Sequence, residues 1–175
     1  MSLKVNATSE PFADLPPICA TLFEAKAKKG AFGYFKDARV TFEDIAKAIG
    51  RDEVWVAAMF YGQGIMPQAK LSADELASLA QFLNIPAESV KADIGAEWWP
   101  RRGLGPMPPT DPVLYRLYEG VMVYGNAIKA IIHEKFGDGI MSMIDCKVNI
   151  ERKPDPKGDR VILTFDGKFL PYLKW

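Results

Sequence analysis

Apolar and polar residues alternate along this chain in three different ways, and each pattern predicts its own architecture. Over the first hundred residues the apolar positions come in short blocks at three- and four-residue spacings, the mark of small amphipathic helices. Residues up to about Asp14 form a loose arm, and Pro16-Pro17 lead into a helix over roughly Ile18 to Lys29 that Gly30 ends. Thr41 is placed to cap the next helix, with Asp44 three residues on and Phe42, Ile45, Ala46 and Ile49 on its apolar face; Gly50 stops it. A third helix is expected over about Asp52 to Tyr61, ended by Gly62-Gln63-Gly64. Ser72 and Glu75 form a capping box ahead of Leu76, Leu79, Ala80 and Leu83. Pro86 opens a short final turn, and Trp98-Trp99-Pro100 closes the region.

The second pattern is one long element. Asp111 suits an N-cap and Pro112 the first helical position, where a missing N–H costs nothing. From Val113 to Ile132 the only charged residues are Arg116, Glu119 and Lys129, and Gly137 follows as a C-terminal cap. A helix apolar on every face should be buried on every face, by its own subunit or by a neighbour. Asp138-Gly139 reads as the entry to a short helix over Ile140 to Ile144 with Asp138 as its cap.

The third pattern has period two. Lys147 to Arg152 and Arg160 to Phe165 alternate as strands around a Pro154–Gly158 turn, and Asp166-Gly167 is a second tight-turn signal ahead of Lys168-Phe169-Leu170-Pro171. Two or three short strands cannot bury both faces alone, which argues for an oligomer. The expected class is α+β. Residues 1–100 form an N-terminal helical bundle resembling a helix-turn-helix, 101–110 a Pro/Gly linker, and 111–175 a C-terminal unit of a long helix plus short strands.

Charge and composition narrow the function. Lysine plus arginine equals aspartate plus glutamate, so net charge is zero, which disfavours a general nucleic-acid binder. The would-be recognition helix opens with Asp52 and Glu53 and is otherwise apolar, where base readout wants Arg, Lys, Asn or Gln. No nucleic-acid partner is expected. Cys19 and Cys146 are far apart and read as free thiols of a reducing compartment, and a single histidine makes a zinc site unfavourable. His133 reads as a helix-end residue suited to the dipole. Asn6-Ala7-Thr8 fits a glycosylation sequon by chance, since no signal peptide or membrane span is evident and a cytoplasmic location is expected.

The candidate chemistry lies in the long helix and just beyond it. Arg116 and Glu119 are an i,i+3 pair in the less helix-supporting order, arginine first, and Arg116 lines up with Gly120, Val123 and Ala127. One reading is a structural ion pair at a subunit interface; the other is a small-anion site, to which a helix start carrying Ser142 would add free N–H groups and a hydroxyl.

Tyr115-Arg116-Leu117-Tyr118-Glu119, Tyr124-Gly125, the stretch His133 to Ser142, and Asp166-Gly167-Lys168-Phe169-Leu170-Pro171 together resemble the cyanase family, also called cyanate hydratases or cyanate lyases. The likeness runs from about Thr41 onward and is densest in the C-terminal half; it is poorest before Thr41, notably at Gly33-Tyr34-Phe35-Lys36. The resemblance implies catalytic residues at Arg116, Glu119 and Ser142, cyanate and bicarbonate as substrates, carbamate, ammonia and carbon dioxide as products, and intertwined dimers assembled into a homodecamer. On this reading Arg116 holds an anion bidentately, Glu119 orients Arg116 with proton handling as a second role, and Ser142 donates to an anion and accepts a shuttled proton. No metal or organic cofactor is expected, with bicarbonate as co-substrate and no membrane partner. The competing readings are a transcriptional regulator whose C-terminal part senses a small anion, and a structural oligomer without activity.

Overall fold

A computed structural model describes residues 17–31, 40–63, 71–93 and 107–173 of the chain. The expected arm, the Gly33–Lys36 segment, the Trp98-Trp99-Pro100 end and most of the Pro/Gly linker lie outside these residues. The chain divides into two compact units, Met1–Leu104 and Gly105–Trp175.

Among the described residues the first unit holds five helices: α1 (Pro17–Ala31), α2 (Phe42–Ile49), α3 (Glu53–Phe60), α4 (Ala73–Leu83) and α5 (Ala87–Asp93). Both expected capping boxes form. The Thr41 side chain accepts from the Asp44 N–H at 3.0 Å while the Asp44 carboxylate accepts from the Thr41 N–H at 2.8 Å. Ser72 and Glu75 make the same reciprocal pair. Gly50 ends α2 in the left-handed region, φ +70°, which only glycine adopts without cost. The helices bury Ile18 and Leu22 of α1, Ile45 of α2, Val56, Met59 and Phe60 of α3, Leu79 of α4 and Val90 of α5 in one core. The turn after α2 is tied to the start of α4 by a two-pronged ion pair, Arg51 Nε to Glu75 Oε1 at 2.5 Å and Nη2 to Oε2 at 3.1 Å. That pairing, with the Ser72 amide also donating, holds the Glu75 carboxyl down at about 2. α3 buries Val56, Met59 and Phe60 in this core and presents acids at its start, so it serves as a packing helix, as its composition predicts.

The described residues of the second unit form one helix and one hairpin. α6 (Pro112–Phe136) starts where the cap signals place it: Asp111 Oδ1 accepts from the Val113 and Leu114 N–H groups at 2.9 and 3.0 Å. Its 25 residues span about 37 Å at 1.5 Å per residue. β1 (Gly139–Lys153) and β2 (Arg160–Pro171) pair antiparallel around the expected turn, where Asp155 Oδ1 accepts from Lys157 N–H at 2.9 Å. The helix meets the hairpin at its C-terminal end, where the Phe136 ring lies 5.4 Å from that of Phe169, and among the described residues no strand runs along it.

Two expectations about the hairpin are corrected. Residues Ile140 to Ile144 are strand, not a short helix, because Ile140 and Met141 pair with Leu170 and Phe169 and close the far end of the ladder. Asp166-Gly167 is not a turn either. Asp166 faces Lys147 and Gly167 faces Cys146, so β2 runs straight through. A two-residue turn would forfeit the Phe169 and Leu170 pairing, and the long-range ladder overrides the local signal.

Candidate active site

None of α6 is buried within one chain. Leu117, Val121, Met122, Val123, Ile128 and Ile131 are all exposed. The hairpin is as open: among the described residues of this unit only Gly139 and Ser142 are buried. Arg116 and Glu119 form the ion pair that their spacing predicts, on this uncovered surface. Their side chains are 70% and 45% exposed, so within a single chain the pair is solvated and not held in an oily interior. The Arg116 guanidinium also lies 5.5 Å from the Tyr115 ring centre, which fixes one side of its plane.

Ser142 sits in a different kind of place. The β1–β2 register breaks between Met141 and Cys146, so that residues 142–145 of β1 stand opposite Lys168 alone. This is an enlarged bulge, and Ser142 is its inward-facing residue, 5% exposed. Its Oγ accepts from the N–H groups of Ile144 at 3.1 Å and Asp145 at 2.9 Å. There is no helix start here, and two of the bulge amides, those of Ile144 and Asp145, are spent on the serine itself. A hydroxyl has two lone pairs and one proton. With both lone pairs engaged, Ser142 retains only its donor. It is set to give a hydrogen bond to an acceptor, and not to take up a proton.

The three candidate residues do not meet within one chain. Arg116 lies about 30 Å along α6 from Phe136 at 1.5 Å rise per residue. Ser142 follows Phe136 by six residues, which reach about 20 Å even fully extended. The two could approach even 10 Å only if the strand doubled back along the helix, and no strand does. Arg116 and Glu119 form one group, and Ser142 stands apart from them.

His133 stands in the last turn of α6, its Nε2 3.9 Å from Asp138 Oδ1, in the helix-end position its sequence context suggests. Cys19 and Cys146 are free thiols; burial pushes the Cys19 thiol up to about 11. No three His, Cys, Asp or Glu side chains converge among the described residues. No helix there is long and apolar enough to cross a membrane. The sequence reading missed the bulge. Its signal was an Asp-Gly pair inside an otherwise uninterrupted strand pattern, which marks a close backbone approach as well as it marks a turn.

The Arg116–Glu119 ion pair thus stands on an uncovered apolar helix, and Ser142 stands apart from it, buried in a strand bulge. The family model for the cyanate lyase C-terminal domain matches residues 106–174. The chain is 60% identical to a cyanate hydratase of Laccaria bicolor over 98% of its own length and 95% of that protein's. It is 46% identical to a cyanate hydratase of the cyanobacterium Synechocystis, covering 93% and 97%. The crystal structure of cyanase from T. urticae superposes with a TM-score of 0.70 at 33% identity, covering 89% of this chain and 97% of that one. The chain belongs to the cyanate hydratase family, a family of lyases. These relatives are named as hydratases and give no support to the regulator reading.

Proposed function

We propose that this protein decomposes cyanate with bicarbonate, forming carbamate and carbon dioxide, and that Arg116, Glu119 and Ser142 carry the reaction. Near-full-length identity of 60% to a cyanate hydratase is the observation that carries the reaction assignment. The residue roles are argued from their chemistry.

Two monoanions must reach bonding distance. At about 4 Å and an effective dielectric near 20 their repulsion is about 4 kcal/mol, which fixed positive charge must offset. Arg116 supplies a permanent cation with a planar fork that matches a carboxylate-like anion. Glu119 grips one side of that fork and orients it; handling a proton is its second role. Ser142 donates its hydroxyl hydrogen to one anion, its lone pairs already engaged by the bulge. A bicarbonate oxygen bonds to the cyanate carbon, the bicarbonate proton and one proton taken up pass to the nitrogen so that it ends as an amine, and the bridging C–O bond on the bicarbonate side breaks. Carbon dioxide leaves and carbamate remains, which takes up a further proton and falls apart to ammonia and a second carbon dioxide. Positioning and electrostatics suffice for this sequence of steps, and neither metal nor organic cofactor enters it.

The site is shared between chains. One Arg116 is thin provision for two anions, and copies of α6 packed together would bring a second. The same packing would cover Leu117, Val121 and Ile128, each of which gains about 1 kcal/mol or more when its exposed half is buried. A homo-oligomer, a decamer built from intertwined dimers, is the assembly we infer, in the cytoplasm. The test is ammonia release from cyanate with and without bicarbonate. Release that requires both substrates supports the proposal; no release from the assembled protein refutes it.

A further inference from the structure

Gly167 is the residue that β2 places against the Ser142 bulge. It pairs with Cys146 at the bulge's base. A methyl group built on it would lie 2.6 Å from the carbonyl oxygen of Ser142, 2.5 Å from Cγ of Met141 and 3.1 Å from the Met141 sulfur. Its φ is not among the positive values found at Gly50, Gly62, Gly137 and Gly158, so glycine is not required there for backbone freedom. It is required for space, which the Met141 side chain and the Ser142 carbonyl oxygen both claim. Non-bonded carbon–oxygen contacts below 3.0 Å are essentially never tolerated, so any side chain at 167 would push the Ser142 peptide away by several tenths of an ångström. The Met141 side chain can swing aside; the carbonyl cannot move without its peptide. That carbonyl belongs to the Ser142–Met143 peptide, next along the chain from the Ile144 and Asp145 amides whose bonds to Oγ aim the hydroxyl.

We propose that Gly167 is a positioning residue for catalysis: its missing side chain lets β2 close on the bulge and sets where the Ser142 hydroxyl points. This rests on Ser142 belonging to the active site. Catalytic groups must be held to about 0.5 Å, and a displacement near 1 Å costs up to about a hundredfold in rate. Gly167→Ala therefore lowers kcat by about ten- to a hundredfold per assembled protein.

The experiment is a double-mutant cycle on the full chain, with turnover, assembly size and melting measured for Ser142→Ala, Gly167→Ala and the two combined. Residual rates are read at high enzyme concentration. The expected result is that Gly167→Ala slows the otherwise native enzyme but adds little to Ser142→Ala, because the hydroxyl it misplaces is already gone. Losses that multiply mean a general structural effect and overturn the proposal. Normal turnover in Gly167→Ala, with Ser142→Ala impaired, overturns it while leaving the active-site reading intact. Normal turnover in Ser142→Ala overturns both. Should Gly167→Ala fail to assemble, Met141→Ala/Gly167→Ala removes the side-chain overlap and keeps only the carbonyl contact; it should assemble and remain slow, and native turnover in it refutes the proposal.

Discussion

Separation of the half-sites within one chain makes a prediction that a single-chain active site cannot share. If Arg116 and Ser142 lie more than 10 Å apart in every chain, each site must draw them from different chains. An Arg116→Ala chain and a Ser142→Ala chain, each inactive alone, should then rescue one another when they assemble together. In a site that takes one Arg116 and one Ser142 across a two-fold interface, equal mixing makes half the pairs heterologous, and one of the two sites in each is intact. About a quarter of wild-type activity should return. If each site draws two Arg116 and two Ser142 from four independent chains, the same counting gives about one sixteenth. The chains are best co-expressed at equal level, because the apolar α6 interface should exchange slowly once formed. Activity is read as ammonia per chain, beside each parent variant confirmed to be assembled. A mixture no more active than its parents would mean that both residues serve from the same chain, and the geometric argument from α6 and the hairpin would fall.

The remaining predictions test separate parts of the reading. Arg116→Lys should lose most turnover while assembling normally, since charge survives and the bidentate fork does not; native turnover in it would sink the anion site. Ser142→Ala should cost about a hundredfold or more in kcat, the scale of one lost donor to a developing charge. Treatment with a strong chelator should leave ammonia release unchanged, and a loss restored by one divalent cation would defeat the metal-free proposal. Glu75, held at about 2 against an ordinary 4.5, should contribute about 2–3 kcal/mol to the first unit at neutral pH. Its folded pKa is depressed, so this stability is present above about 4.5 and lost as pH falls towards about 2. Denaturant midpoints for Glu75→Gln should lie well below wild type at pH 7 and converge with it across that window; a constant gap down to pH 2 would show that Glu75 acts by shape alone.

The sequence by itself determined the elements whose causes are local. Thr41 with Asp44, Ser72 with Glu75, and Asp111 with Pro112 announce helix starts because a cap satisfies amides within three residues of itself. The Arg116–Glu119 pair was legible for the same reason, since three residues on one helix are always neighbours. That α6 is apolar on every face was legible from its residue pattern; that a single chain leaves all of it uncovered was not, because the sequence left open whether its own subunit would cover it. The placement of Ser142 was not. Its apparent helix is a bulged strand because Phe169 and Leu170, nearly thirty residues later in the chain, pair with Met141 and Ile140. Only once that ladder exists do the Ile144 and Asp145 amides turn onto the serine oxygen, and only then does Gly167 stand as a space rather than a turn. A capping signal is settled within one helical turn, whereas a bulge is defined by two strands at once, and so the tertiary pairing decided it.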